Sequence, residues 1–354
     1  MEYNILYIED GDPSSIISDL QEDEELKVEY HDPQDFEKSI NKVKTSGADL
    51  LLLDFRLSDK KGVLYDAPTL AQTIRTVHAN DPIDLPIVLI SSEDKISEFY
   101  KDYTSLDLFD MAISKKTLSE QKEKYHIRLK SLIKSYSALS LAKDESRPLL
   151  SLLTIPDLLS DKFDSRIKDL LESSKYKNNI FMASDFILNQ IVKPSGILIG
   201  EDILAARLGV SLESGDWNTL KSILDEFKYS GLYSDAYERW WFTGVENWWK
   251  SISPKQSSLK RLRASERVSI LKAIFGLPNL QEATKDKYSK SDYFWTICNK
   301  YHSPLDPIDG FEKNSSQEPW QDKSYFSIEA VSSLESLTEI TAIDKRRYIE
   351  YTKE

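Results

Sequence analysis

The chain holds one cysteine, Cys298, in 354 residues, which excludes a disulfide framework and fits a reducing cytosol. No apolar run approaches the roughly 20 residues of a membrane span, and no basic-then-apolar leader opens the sequence. These absences predict a soluble, cytoplasmic protein with no membrane contact. The four histidines, His31, His78, His126 and His302, are scattered without ligand-like spacing. No phosphate-binding P-loop, HExxH, CxxC or GxSxG occurs, so residues 149–354 carry no catalytic signature and the sequence leans away from an enzyme. A nuclease-type carboxylate triplet has no fixed spacing and stays open.

What is present reads as globular: 40% hydrophobic residues with 11 Gly and 13 Pro, over a length that suggests two or three domains. The net charge of −13 is unevenly placed. Residues 1–120 hold 12 Lys and Arg against 26 Asp and Glu, a balance of −14, so the rest of the chain sums to +1. Within that rest, Lys250 to Lys272 carry seven basic side chains against one Glu.

Short apolar runs alternate with helical spacing through the first 140 residues. The segments 4–10, 25–32, 49–55, 85–91 and 108–114 read as strands, because runs rich in Ile, Leu and Val without internal Gly suit strands covered on both faces. Between them Ile16, Ile17 and Leu20; Phe36, Ile40 and Val43; Leu70, Ile74 and Val77; and Ile96, Phe99 and Tyr100 recur at helical intervals. Five such repeats predict an α/β fold with a doubly wound parallel sheet, whose ligands sit beyond the carboxyl ends of the strands. Those ends carry Glu9 and Asp10, Asp54, Ser91 and Ser92, and Lys115 and Lys116. Carboxylates crowded at one point repel, and a hard divalent cation, Mg²⁺ best of all, relieves them. A lysine and a hydroxyl beside them suit phosphate oxygens, and Asp54 is then placed to attack a phosphoryl donor.

Four stretches in order, YIEDGD, LLLDF, IVLISS and AISKK, together resemble the receiver domain of two-component response regulators over roughly residues 1–125. The resemblance implies a five-stranded sheet of order 2-1-3-4-5. It implies Mg²⁺ on Glu9, Asp10, Asp54 and the backbone carbonyl of Arg56, with Asp54 as phosphoacceptor, Ser91 orienting the phosphoryl group and Lys115 pairing with it. A partner histidine kinase would be the phosphodonor. Three departures stand out: Lys116 where the family usually has proline, Ala112 where an aromatic switch residue is common, and a long segment over residues 56–70. They leave a second reading open, a receiver fold that regulates an effector enzyme or nucleic-acid-binding domain without phosphorylation, as in a bacterial stress or antiviral defence module.

Residues 126–148 read as a helical linker ending at KDESRP, with Ile127, Leu129, Leu132, Ile133, Tyr136 and Leu139 along one side. Such a helix suits either a dimer seam or an ordinary surface position. Residues 149–354 predict a mainly α-helical output domain, with a subdivision near 300, a long loop over 303–324 and a helix near 328–340. Its segment 201–224 has the cadence of a helix-turn-helix, but the second helix is too acidic to face DNA phosphates. Lys260, Arg261, Arg263 and Arg267 lie on an expected basic helix suited to nucleic acid, another anion or the acidic N-terminal domain of the same chain. Five of the seven tryptophans fall between 217 and 249, with Trp240-Trp241 and Trp248-Trp249 expected near one helical face, most simply as core and otherwise as a groove.

Overall fold

The computed structural model describes residues 2–76, 83–92, 108–253 and 258–352. Its N-terminal part is a five-stranded parallel sheet of order β2-β1-β3-β4-β5. The strands are β1 (Tyr3–Ile8), β2 (Leu26–His31), β3 (Leu50–Asp54), β4 (Ile87–Ser91) and β5 (Met111–Ser114). Each matches one of the apolar runs. Leu50 to Leu53 and Ile87 to Ile90 are wholly buried, as central strands covered by helices on both faces must be. Helices Ser14–Leu20, Phe36–Thr45 and Ala67–Thr76 return the chain between successive parallel strands, the second of them crossing from β2 over β1 to β3. The helix expected around Ile96, Phe99 and Tyr100 lies outside the described residues.

The register aligns the strand ends. Ile8 stands opposite Leu53, Asp54 opposite Ile90, and Ser91 opposite Ser114. Glu9, Asp54, Ser91 and Lys115 therefore emerge along one edge. Ser114 caps the helix Lys115–Glu120 by accepting the Thr117 N–H at 2.9 Å, which starts that helix at Lys115 itself.

The helix Lys122–Asp144 is continuous and buries Leu129, Leu132, Ile133, Tyr136 and Leu139, while Ile127 is exposed. It belongs to the same compact unit as the sheet. That unit comprises the chain to residue 153 together with 165–187 and 232–236; the second unit takes 154–164, 188–231 and 237 onward. The segment read from sequence as a linker is thus packed into the first unit. A buried charge holds the later segments there. The Asp110 carboxylate accepts from Arg75 Nη2 (2.8 Å), the Ile87 N–H (2.8 Å) and the Tyr136 hydroxyl (2.6 Å). Ser184 Oγ lies 3.5 Å from it and 2.6 Å from the Tyr233 hydroxyl, and Phe181 stacks under Arg75 at 3.9 Å.

The second unit is largely helical, with Glu201–Leu208, Trp217–Ile223, Phe242–Ile252 and Ala264–Phe275 around a core that includes Leu204, Trp217, Trp240, Val245, Trp249 and Leu271. Three antiparallel pairs of two-residue strands lie among them: 198–199 with 240–241, 296–297 with 304–305, and 311–312 with 325–326. Trp240 and Trp241 are strand residues, and the helix begins only at Phe242, which differs from the single helical face expected. The tryptophans are core all the same: Trp217, Trp240, Trp241, Trp248 and Trp249 are all buried. The helix-turn-helix cadence also resolves into packing. Helix Glu201–Leu208 is buried from Ile203 to Leu208 and ends at Gly209 with φ +72°. A Cβ there would lie 2.6 Å from the Cα of Ala264, so only glycine lets the two helices approach.

Candidate functional site

Four elements converge at the carboxyl edge of the sheet. Asp54 ends β3 and is 4% exposed; Glu9 follows β1 and is 3% exposed. Glu9, Asp10 and Asp54 each bring one carboxylate oxygen within 4.8 Å of the others. Lys115 bridges two of them, its Nζ 2.9 Å from Asp54 Oδ1 and 2.5 Å from Glu9 Oε2. The backbone N–H of Arg56 donates to Asp54 Oδ2 at 3.2 Å, and that of Gly11 donates to Glu9 Oε1 at 3.0 Å. Ser91 is 1% exposed, and its hydroxyl has no hydrogen-bond partner among the described residues. A buried hydroxyl without a partner costs about 1–3 kcal/mol, a cost that a phosphoryl oxygen would remove.

The electrostatics separate the three acids. Burial raises Asp54 to about 6, against the pull of Lys115. Burial also works to raise Glu9, but Lys115 and the Tyr7 hydroxyl outweigh it and hold this carboxyl below its ordinary value. Asp10 is raised by burial and by the neighbouring Glu9 charge. On Lys115, burial is outweighed by the two carboxylates, which raise the ammonium and keep it charged. The edge is thus a cluster of hard oxygen donors with one fixed cation, suited to a small divalent metal and a phosphoryl group.

Two contributors were not legible as site residues. Tyr7 donates its hydroxyl to Glu9 Oε2 at 2.6 Å, yet in sequence it is one more apolar strand position. Asp66 accepts the backbone N–H groups of Leu57 and Ser58 at 3.0 Å each and the Ser58 hydroxyl at 2.7 Å, which ties down the long segment after β3. An aspartate opposite a loop of polar residues was the available signal.

The sheet order β2-β1-β3-β4-β5 is the one the receiver resemblance implied. The N-terminal sheet is receiver-like. No family model matches the chain, and no curated protein matches it. Solved structures similar to its N-terminal part include NtrX from Brucella abortus, at 18% identity over 41% of this chain and 29% of that one, with a TM-score of 0.32. A putative response regulator from Chloroflexus aurantiacus is 16% identical over 36% of this chain and 98% of its own (TM-score 0.28). The receiver domain of a Pseudomonas aeruginosa sensor histidine kinase, whose structure has a magnesium ion in its active-site cleft, is 16% identical over 36% and 97% (TM-score 0.28). The chain thus spans under a third of the NtrX structure.

The basic set of the second unit divides. Lys260, Arg261 and Arg263 are exposed, with Lys260 and Arg261 on a 3-10 turn ahead of the helix that begins at Ala264. Arg267, expected as an anion contact, is wholly buried; its Nη1 donates to the carbonyls of Arg207 (2.9 Å) and Phe294 (2.8 Å). Its guanidinium is a brace within the fold, and burial lowers it to about 10. Among the described residues no helix is long and apolar enough to cross a membrane.

Proposed function

We propose that the protein is a phosphorylation-responsive signalling protein of response-regulator type, with Asp54 as phosphoacceptor. The observation that carries this reading is the convergence on Asp54: two further acids, a bridging lysine and an unpartnered serine hydroxyl at the ends of four strands. The donor set fits Mg²⁺, which Glu9, Asp10, Asp54 and the Arg56 carbonyl would hold; bound there, it would offset charge on phosphoryl oxygens. An Asp54 carboxylate oxygen forms the new bond to phosphorus. The P–N bond of a kinase phosphohistidine breaks, and the departing imidazole takes up a proton. Lys115, already 2.9 Å from Asp54, is within reach of the transferred oxygens, and the Ser91 hydroxyl donates to another. The product adds negative charge at a buried edge, the input for altered protein contacts or dimerisation by the helical remainder.

Acetyl phosphate with Mg²⁺ should add one phosphoryl mass to the wild-type chain and none to Asp54→Asn, read by intact-mass spectrometry. Because burial holds Asp54 near 6, labelling should slow as pH falls from 7 to 5. Equal labelling of the two proteins, or none of either with beryllofluoride also without effect on elution, would overturn the reading.

A further inference from the structure

Two cavities in the second unit adjoin, sharing Thr296, Gln321, Asp322 and Lys323 as common wall. The larger, about 440 Å³, is also lined by Lys193, Arg239, Asp202 and His302. The smaller, about 310 Å³, is also lined by Arg207, Lys260, Trp295 and Tyr325. Volumes of this size suit small-molecule ligands. Charged and polar side chains are numerous in both linings.

Charge indicates the class of ligand. Five cations, Lys193, Arg207, Arg239, Lys260 and Lys323, face two carboxylates, Asp202 and Asp322, in a chain whose net charge is −13. Most of this charge is already engaged: Arg207 Nη2 pairs with Asp322 at 2.6 Å and Lys323 with Glu312 at 2.8 Å, Arg239 donates to the carbonyls of Val192, Glu238 and Lys193, and Lys193 donates to Asn189 Oδ1 at 2.8 Å. Lys260 is different. Its ammonium lies 5.3 Å from the centre of the Trp295 ring and has no carboxylate partner among the described residues. Such a cation at the mouth of a cavity is available to an anion at no cost in broken ion pairs.

The other end of the larger cavity is built for a different group. Gly200 precedes the helix Glu201–Leu208, whose Ile203 N–H donates to Asp202 Oδ1 at 2.8 Å, and a Cβ at Gly200 would lie 2.8 Å from Arg239 Nη1 and 2.9 Å from Asp202 Oδ1. Across from it, His302 has φ +56°, a left-handed conformation that costs a non-glycine residue free energy, and this holds its Nδ1 3.6 Å from Asp202 Oδ2. The pair offers both a donor and an acceptor to hydroxyl or ring nitrogen groups.

We propose that this double cavity binds a nucleotide, with its phosphates towards Lys260 and Lys323 and its uncharged polar part towards Asp202 and His302. This site is separate in residues and chemistry from the Asp54 cluster. Isothermal titration of the full chain in EDTA, which removes any metal-dependent contribution of that cluster, would use ATP and tripolyphosphate as probes. ATP should bind, and Lys260→Glu and Lys323→Glu should each weaken it by about tenfold or more. Circular dichroism melts would confirm that both variants remain folded, as exposed lysines allow. Tripolyphosphate should bind more weakly than ATP, because the nucleoside is also read; binding as tight as that of ATP would overturn the nucleotide assignment. Absence of binding by both probes at about 5 mM, or ATP binding unchanged in both variants, would overturn it.

Discussion

Asp54 and Glu9 are both nearly inaccessible to solvent, yet they are held on opposite sides of their ordinary values. The difference lies in their partners. Glu9 accepts from Tyr7, Gly11 and Lys115, whereas Asp54 accepts from Lys115 and Arg56 beside the Glu9 charge. The consequence for stability has a definite sign. A carboxyl raised from 3.8 to about 6 binds its proton more tightly in the folded state, so its favourable contribution is present at low pH and is lost as pH rises through about 6. Asp54→Asn removes the cost of the buried charge. Without metal it should be more stable than wild type at pH 7.5, by on the order of 1–3 kcal/mol, with the advantage vanishing below about pH 4. Urea unfolding at the two pH values checks this; a variant less stable at pH 7.5 would mean that the Lys115 contact outweighs the burial. The acids and Lys115 were legible because a charged residue at the end of an apolar run has no packing explanation. Tyr7 was not, because only the fold places its hydroxyl beside Glu9.

At the scale of elements, period decided what could be read. The runs Leu50–Leu53 and Ile87–Ile90 are uniformly apolar and became central strands. A two-residue strand such as Trp240–Trp241 has no period, and its pairing with Leu198 and Ile199 depends on residues some 40 positions away. The Asp110 network is hidden for the same reason: its partners lie 23 to 35 positions off, and Ser184 is 74 away. Burial raises the Asp110 carboxyl against the opposing charge of Arg75. Arg75→Ala leaves that charge buried without its cation and should cost about 3–5 kcal/mol, whereas Tyr136→Phe removes one hydrogen bond and should cost about 1–3 kcal/mol. Equilibrium denaturation of the two variants measures both, and equal small losses would argue that water replaces the missing partners.

At the scale of the whole molecule, the chain leaves the first unit after residue 153 and returns to it for 165–187 and 232–236. A fragment ending at residue 148 therefore lacks Phe181, Ser184 and Tyr233, and it uncovers the side of helix Lys122–Asp144 on which helix Ile180–Phe186 packs. The expectation is a fragment that melts at least about 5 °C below the full chain and binds a hydrophobic dye that the full chain does not. Matching melting curves would show that the receiver-like sheet needs nothing beyond its own residues. A boundary drawn at a charged, proline-ended stretch missed this, because composition marks exposed chain and not the return of later segments.

The sequence by itself determined the parallel sheet and the charged residues gathered at its carboxyl edge, since both follow from local rules: apolar runs seek burial, and charges fall at their ends. Only the tertiary structure decided that Arg267 braces carbonyls, that Trp240 and Trp241 form a strand, and that residues 165–187 and 232–236 complete the first unit. Each of these depends on groups distant in sequence meeting in a low-dielectric interior, where unpaired charges and polar groups are costly and partners must be found wherever the fold brings them.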